Sequence, residues 1–290
     1  MNETSRNICI NLTRRCNLNC PECYVADFLH RTNGKGKMDL TLNEIKEIID
    51  LSTIDGVYLT GGEPLAHPEI REIISYFIQN GKGVQIATNA LLLNEDMMRF
   101  LDHKNISLLV SLREDHKEVY QIVNRASRFD IEIVCYHLPT STSPALLYEF
   151  IHECPSVKNI KLLYNSKNSP TATEWFSLLG KIYKTIAGVS NGINISVEIG
   201  FLPKKNKIAQ QPGRGAFDRV HVSTEGLFYS CPLLVLNGNG RDKLPPERCT
   251  PEKCPIFARN LDDDKYTSVC CFLVTSLDTA ILIAKWGGIQ

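Results

Sequence analysis

The sequence predicts an α/β protein, a partial (β/α)6 barrel over residues 1–190 followed by a small cysteine-rich lobe with a β-hairpin over residues 191–290. Three observations predict it. Short β-branched runs alternate with amphipathic helical segments from Asn7 to about Lys184, the alternation stops near Ala187, and cysteines gather at both ends of the chain. Alternation of this kind is the pattern of βα units around a parallel sheet.

The expected strands are Ile8 to Leu12, Val57 to Thr60, Val84 to Thr88, Ile106 to Leu112, Ile131 to Tyr136 and Ile160 to Tyr164. Between them lie helix signals: Thr41 with Glu44 forms a capping box, Pro68 opens a helix that Gly81 closes, and Thr171 pairs with Glu174. Ile70, Ile73, Ile74, Phe77 and Ile78 recur at helical spacing and predict one buried face. Six such repeats are fewer than a closed barrel of this type needs, so the barrel is expected to be open. Ile193 to Leu202 then reads as one strand, and Arg219 to Val222 with Gly226 to Tyr229 as a hairpin. The apolar stretch from Ser268 to Trp286 is broken by Asp278 and Lys285 and falls short of the ~20 apolar residues of a spanning helix, so it reads as buried core.

Lys plus Arg and Asp plus Glu each number 32, so no global basic field exists to attract nucleic acid or an anionic membrane. The polar N-terminus, from Met1 to Asn7, lacks the apolar segment of a secretion signal, which predicts a cytoplasmic protein. Eleven cysteines are many for a compartment that keeps thiols reduced, and clustered ones there bind metal more readily than they form disulfides. Two metal sites are therefore expected.

The first is Cys16-Asn17-Leu18-Asn19-Cys20-Pro21-Glu22-Cys23-Tyr24, directly after the first strand. Three thiolates at this spacing can wrap one iron-sulfur cubane and leave one iron without a protein ligand. A zinc site with a distant fourth ligand is the alternative. Here the sequence resembles the radical S-adenosylmethionine (SAM) superfamily, whose signature is such a triad followed by an aromatic residue. The resemblance runs from residue 7 to about 164 and continues at successive strand ends. Tyr58-Leu59-Thr60-Gly61-Gly62-Glu63-Pro64 is similar to the GGE segment that receives the amino group of the cofactor's methionine. Ala87-Thr88-Asn89-Ala90 looks like the family's T-N-G, with Ala90 in place of glycine. Val110-Ser111-Leu112-Arg113 is similar to S-L-D, with Arg113 in place of the acid. The resemblance implies that Tyr24, Gly61, Gly62, Glu63, Thr88, Asn89, Ser111 and, on the sixth strand, Leu163 line a cofactor site. His137, on the same rim, is expected to be structural.

The second cysteine group begins with Gly226-Leu227-Phe228-Tyr229-Ser230-Cys231 and continues through Cys249, Cys254 and the pair Cys270-Cys271. It resembles the SPASM/twitch extensions of the same superfamily, which bind auxiliary [4Fe–4S] clusters. That resemblance implies one cluster held by Cys231, Cys249, Cys254 and one of the vicinal pair, Cys270 being preferred over Cys271, with the spare thiol of the pair as a candidate hydrogen-atom donor; a tetrahedral all-cysteine zinc site is the alternative. The implied activity is reductive cleavage of SAM to a 5′-deoxyadenosyl radical that abstracts a substrate hydrogen. The expected electron donor is a flavodoxin or ferredoxin. The expected substrate is a ribosomally made peptide undergoing crosslinking, thioether formation or epimerisation, or else a small molecule of natural-product or cofactor biosynthesis. The first strand begins at once, so no N-terminal leader-peptide-binding domain is expected. A non-catalytic iron-sulfur protein is the reading from another class.

Overall fold

The computed structural model describes residues 7–20, 23, 36–113, 115–164, 171–189, 192–198, 201–203, 220–229, 266–268 and 274–286. Strand β1 (Asn7–Thr13) is followed by helix α1 (Leu42–Ile48), β2 (Gly56–Gly61), α2 (Ile70–Gln79), β3 (Gly83–Thr88), α3 (Glu95–Phe100) and β4 (Ile106–Leu112). Then come α4 (Glu118–Ala126), β5 (Glu132–His137), α5 (Ser143–Glu153), β6 (Asn159–Leu162), α6 (Ala172–Ile186) and β7 (Asn194–Glu198). The described remainder is β8 (Phe201–Pro203), β9 (Val220–Val222), β10 (Phe228–Tyr229), β11 (Tyr266–Ser268), β12 (Val274–Ser276) and α7 (Leu277–Trp286). The predicted βα repeats are therefore present.

The chain divides into two compact units, one of Met1–Val110, Arg128–Glu132 and Phe217–Cys249, the other of Ser111–Ser127, Ile133–Ala216 and Thr250–Gln290. In the first, the strand order is β10-β9-β1-β2-β3-β4. β1, β2, β3 and β4 pair in parallel, each in near-constant register, and β9 pairs parallel to β1 on the side away from β2. Ile8, Val57, Val84 and Ile106 fall in one row and Ile10, Leu59, Ile86 and Leu108 in the next, all of them buried. The period of two puts them on one face, which the helices cover. Helix α2 buries Ile70, Ile73, Ile74 and Phe77, as the spacing predicts, and begins just after Pro68, with Glu69 as its cap. Gly81 closes it with φ +72°.

Helix α1 starts at the expected capping box, Thr41 with Glu44. The Glu44 carboxyl is held down at about 2 by hydrogen bonds from Lys37 and Thr41. Its folded-state acidity is thus stronger than in the unfolded chain, so this contribution is present above the ordinary carboxylate range and is lost as pH falls towards 2.

The second unit carries the order β5-β6-β7-β12 and a separate β8-β11 pair. β5, β6 and β7 are parallel, so β7 extends the predicted repeats by one strand. The stretch expected to be one strand from Ile193 to Leu202 is in fact two, because each half satisfies its backbone with a different neighbour: β7 pairs with β6 and β12, while β8 pairs with β11. Phe150 is fully buried and meets Tyr120 edge-on at 5.2 Å, and Tyr164 meets Trp175 likewise at 5.4 Å. Of the apolar stretch that ends at Trp286, the apolar side chains described lie in α7. Leu277, Ala280 and Ala284 are buried, whereas Leu282 is 50% exposed. No helix among the described residues is long and apolar enough to cross a membrane.

Phe77, buried completely in α2, is expected to cost about 3–5 kcal/mol on truncation to Ala. Leu282→Ala should shift stability by less than about 0.5 kcal/mol. Urea unfolding followed by far-UV circular dichroism checks the contrast.

Candidate active site

The site is built where β1, β2 and β3 end, since in parallel βα folds the loops at the carboxyl ends of the strands are free to carry function. β1 runs out into Arg14, Arg15 and the cysteine loop. Within that segment Cys23 donates its N–H to the Cys20 carbonyl at 3.1 Å, and the Leu18 N–H points at the Cys16 sulfur at 3.4 Å. Cys16 as a residue is exposed, Cys20 and Cys23 half-buried. Burial of its sulfur pushes the Cys16 thiol up, the Leu18 N–H opposes this, and the charges of Glu63, Cys23 and Cys20 add to it.

Among the described residues no three His, Cys, Asp or Glu side chains converge as they would around a single ion. A cubane holds its thiolates on different irons and spreads them further than a mononuclear site does, so an all-cysteine set of three suits a cluster better than zinc.

The Gly61-Gly62-Glu63 turn is fastened directly to the entry of this loop. The N–H of Gly62 donates to the Thr13 carbonyl at 2.6 Å and that of Glu63 to the Arg15 carbonyl at 2.7 Å. The glycines allow this approach. Gly61 has φ +127°, and a Cβ there would lie 2.3 Å from the Thr13 carbonyl oxygen; a Cβ on Gly62 would lie 2.1 Å from that of Arg15.

Glu63 then joins the turn after β2 to the turn after β3. Its side chain is buried, at 1% exposure. One carboxylate oxygen accepts from the Thr88 hydroxyl at 2.8 Å and the Leu65 N–H at 3.1 Å, the other from the Asn89 N–H at 2.8 Å. Burial pushes the Glu63 carboxyl up, and the three donors pull it back. Thr88 is buried with its hydroxyl engaged on both sides, donating to Glu63 and accepting from Ala90 N–H at 2.9 Å. Asn89 is half-buried, and its amide donates to the Asn17 side-chain oxygen at 2.8 Å while its own oxygen accepts from Leu91 N–H at 3.0 Å. Ala90, where the resembling motif has glycine, keeps the left-handed conformation at φ 64° and is fully buried. The replacement preserves the backbone shape at a cost of about 1–2 kcal/mol.

Cys16, Cys20, Cys23, Gly61, Gly62, Glu63, Thr88 and Asn89 all belong to the first unit. Ser111 and Leu163 belong to the second; Ser111 is half-buried near the end of β4, and Leu163, after β6, donates its N–H to the His137 carbonyl at 2.8 Å. His137 is structural, as expected: it is 3% exposed, with one ring nitrogen 2.9 Å from the Leu112 carbonyl and the other 2.6 Å from the Ser143 hydroxyl. Arg113 forms a two-pronged pair with Asp115 at 3.0 and 3.2 Å. Tyr24, Cys231, Cys249, Cys254, Cys270 and Cys271 lie outside the described residues.

Sequence reasoning missed Thr13, Arg15 and Asp39. Asp39 accepts from the Thr13 hydroxyl at 2.6 Å and from Arg15 at 2.9 Å, and the backbone of Arg14 and Leu40 bonds to Met38 and Leu12, so the two arms of the cysteine loop are clamped at its neck. Nothing local in the sequence pairs position 39 with 13 and 15.

Residues 10–133 match the Radical SAM superfamily. The chain carries a radical SAM domain. Among curated proteins, 7-carboxy-7-deazaguanine synthase of Aquifex aeolicus is 36% identical over 92 residues, 32% of this chain and 40% of that protein. The antilisterial bacteriocin subtilosin biosynthesis protein AlbA of Bacillus subtilis is 28% identical over 107 residues, 36% of this chain and 23% of that protein. The chain thus spans less than half the length of these relatives. Among solved structures, Streptococcus suis SuiB bound to the precursor peptide SuiA superposes with a TM-score of 0.64 at 13% identity, over 89% of this chain and 65% of that one. Native anSMEcpe with bound AdoMet and the Kp18Cys peptide gives 0.59 at 16% identity, over 82% and 78%. The radical SAM domain has the partial-barrel α/β fold of these structures.

Gly62→Ala is expected to cost about 1–3 kcal/mol in urea unfolding, because the added methyl meets rigid backbone. Alkylation gives a second check. In iron-free protein, iodoacetamide should modify Cys16, Cys20 and Cys23 well ahead of Cys135 and Cys154, which are fully buried; burial pushes the Cys154 thiol up to about 12 and the Cys135 thiol well up. Peptide mass mapping over a time course reads the order.

Proposed function

We propose that this chain is a radical SAM enzyme in which Cys16, Cys20 and Cys23 hold a [4Fe–4S] cluster whose remaining iron takes the amine and carboxylate of SAM. The observation that carries this reading is the direct fastening of three motif turns: Glu63 N–H to the Arg15 carbonyl, Asn89 N–H to the Glu63 carboxylate, and Asn89 amide to Asn17. When bound and reduced, the cluster supplies the electron that cleaves SAM into methionine and a 5′-deoxyadenosyl radical. The chain's own residues bind and orient. The Gly61–Glu63 turn offers polar backbone for the methionine ammonium, while Asn89, Ser111, Tyr24 and Leu163 are assigned to the rest of the cofactor. Glu63 and Thr88 act as internal struts, since their polar atoms are already engaged.

Residues 191–290 are assigned an auxiliary [4Fe–4S] cluster on Cys231, Cys249, Cys254 and one of the pair Cys270-Cys271, with Cys270 preferred. The other thiol of that pair would return a hydrogen atom to the substrate radical, and a flavodoxin or ferredoxin would restore it with one electron and one proton.

The preferred substrate is a ribosomally made peptide, in a crosslinking, thioether-forming or epimerising reaction. Support comes from fold likeness over 89% of the chain to SuiB, whose structure holds a precursor peptide. Small-molecule chemistry is the second reading, favoured by the local identity to 7-carboxy-7-deazaguanine synthase and to the S-adenosylmethionine-dependent nucleotide dehydratase of Selenomonas ruminantium.

Anaerobically reconstituted protein reduced with dithionite in the presence of SAM is expected to form 5′-deoxyadenosine, and Cys16→Ala to abolish it. Iron should fall from about eight to about four per chain in the Cys16/Cys20/Cys23 triple-Ala variant. Wild type that forms no 5′-deoxyadenosine would sink the enzyme reading. Acceleration by a candidate peptide but not by nucleotides or sugars separates the two substrate classes.

A further inference from the structure

Arg14 lies two residues before Cys16. Its side chain is 4% exposed, and its guanidinium is paired with the carboxylate of Glu225, 211 residues later in the chain. Glu225 lies in the turn between β9 and β10. That turn is stiff: the Ser223 hydroxyl accepts from the N–H groups of Glu225 at 3.2 Å and Leu227 at 3.3 Å, the Ser223 N–H donates to the Leu227 carbonyl at 3.0 Å, and Gly226 takes φ +76°. β9 itself is laid along β1, with Ile8 opposite Val220 and Ile10 opposite Val222. The hairpin is thereby in fixed register with the strand that delivers the cysteine loop.

A third segment closes the junction. Gly36, on the returning arm of the loop, has φ +107°, and a Cβ there would lie 2.5 Å from one guanidinium nitrogen of Arg14 and 3.0 Å from a carboxylate oxygen of Glu225. The outgoing arm of the loop, its returning arm and the hairpin turn therefore meet at one ion pair, all within the first unit. The Arg14 guanidinium is buried while the Glu225 carboxylate is 32% exposed, so loss of Glu225 takes a charge partner from a cation with little access to water. In sequence, the same hairpin leads on from Gly226 to Cys231, the first cysteine of the C-terminal group.

We propose that Glu225 is a positioning residue for the Cys16-Cys20-Cys23 cluster, acting through Arg14, so that the hairpin entering the C-terminal cysteine region sets the geometry of the N-terminal triad. The inference rests on the proposed assignment of a cluster to the triad. The part of Glu225 is to hold the neck from which the ligands project, the kind of supporting contact whose loss weakens a metal site without removing a ligand.

The test compares full-length wild type with Glu225→Gln, Glu225→Asp and Gly36→Ala, each checked for folding by circular dichroism. Glu225→Gln removes the charge, and Gly36→Ala displaces the guanidinium by a different route. Two readouts are taken: release of reconstituted iron to a chelator together with the change in the reduced cluster's EPR spectrum on adding SAM, and hydrogen exchange of the peptide spanning residues 14–23 in iron-free protein. Glu225→Gln and Gly36→Ala are expected to release iron about 10-fold faster than wild type, to weaken the SAM-induced EPR change and to speed exchange at residues 14–23 by a similar factor. Glu225→Asp, which keeps the charge, should fall between. Iron release and exchange at wild-type rates in both Glu225→Gln and Gly36→Ala would overturn the inference. Wild type that binds no cluster would instead overturn the assignment beneath it, while exchange in iron-free protein still decides whether the ion pair holds the loop.

Discussion

The buried carboxylate of Glu63 is the point on which the arrangement of this site depends. A carboxylate at 1% exposure is stable only when its oxygens are met by donors, and here those donors come from two different strand ends, Thr88 closing β3 with Asn89 just beyond it, and Leu65 after β2 itself. Because Glu63's own N–H is bonded to Arg15, a single residue fixes three turns at once. Flexible polar turns would each wander by more than a cofactor's contacts tolerate, whereas turns bonded to one buried group share its position.

That arrangement needs close backbone approach, and this explains the two glycines before the glutamate. The bonds from Gly62 and Glu63 to Thr13 and Arg15 continue the β1–β2 ladder past the point where both strands have left regular geometry, and any side chain at 61 or 62 would stand in the path of the Thr13 or Arg15 carbonyl. Ala90 shows how far such a rule bends. A methyl group at φ 64° is strained but has room, so alanine can stand where glycine is usual, while at Gly61 and Gly62 it has none.

The βα repeats, the capping boxes at Thr41 and Thr171, the buried face of α2 and the cysteine triad were legible in the sequence because each is a local signal with its own period or spacing. Two kinds of feature were not. The split of the predicted 193–202 strand depends on which neighbours its halves find, β6 and β12 for one and β11 for the other, and partners distant in sequence leave no mark on the stretch itself. The same holds for the hydrogen bonds of Glu63 and Thr88: the two residues were readable, but the bond between them and their bonds to Leu65, Asn89 and Ala90 leave no local mark in the sequence.

The position of the cysteines along their loop gives the neck its importance. The loop leaves β1 at Arg14 and returns at Met38, where backbone bonds and the Asp39 contacts with Thr13 and Arg15 join its arms. All three cysteines fall in the outgoing half, soon after that anchor, and the freedom of a chain segment grows with its distance from a fixed point. Their placement therefore depends on how rigidly residues 13–15 are held. Backbone bonds to the Gly62 turn hold one side of that anchor, Asp39 a second, and the Arg14–Glu225 pair a third. Of these three, the ion pair is the one that comes from the C-terminal part of the chain, and together with the pairing of β9 on β1 it ties the hairpin leading to Cys231 to the neck of the loop carrying Cys16.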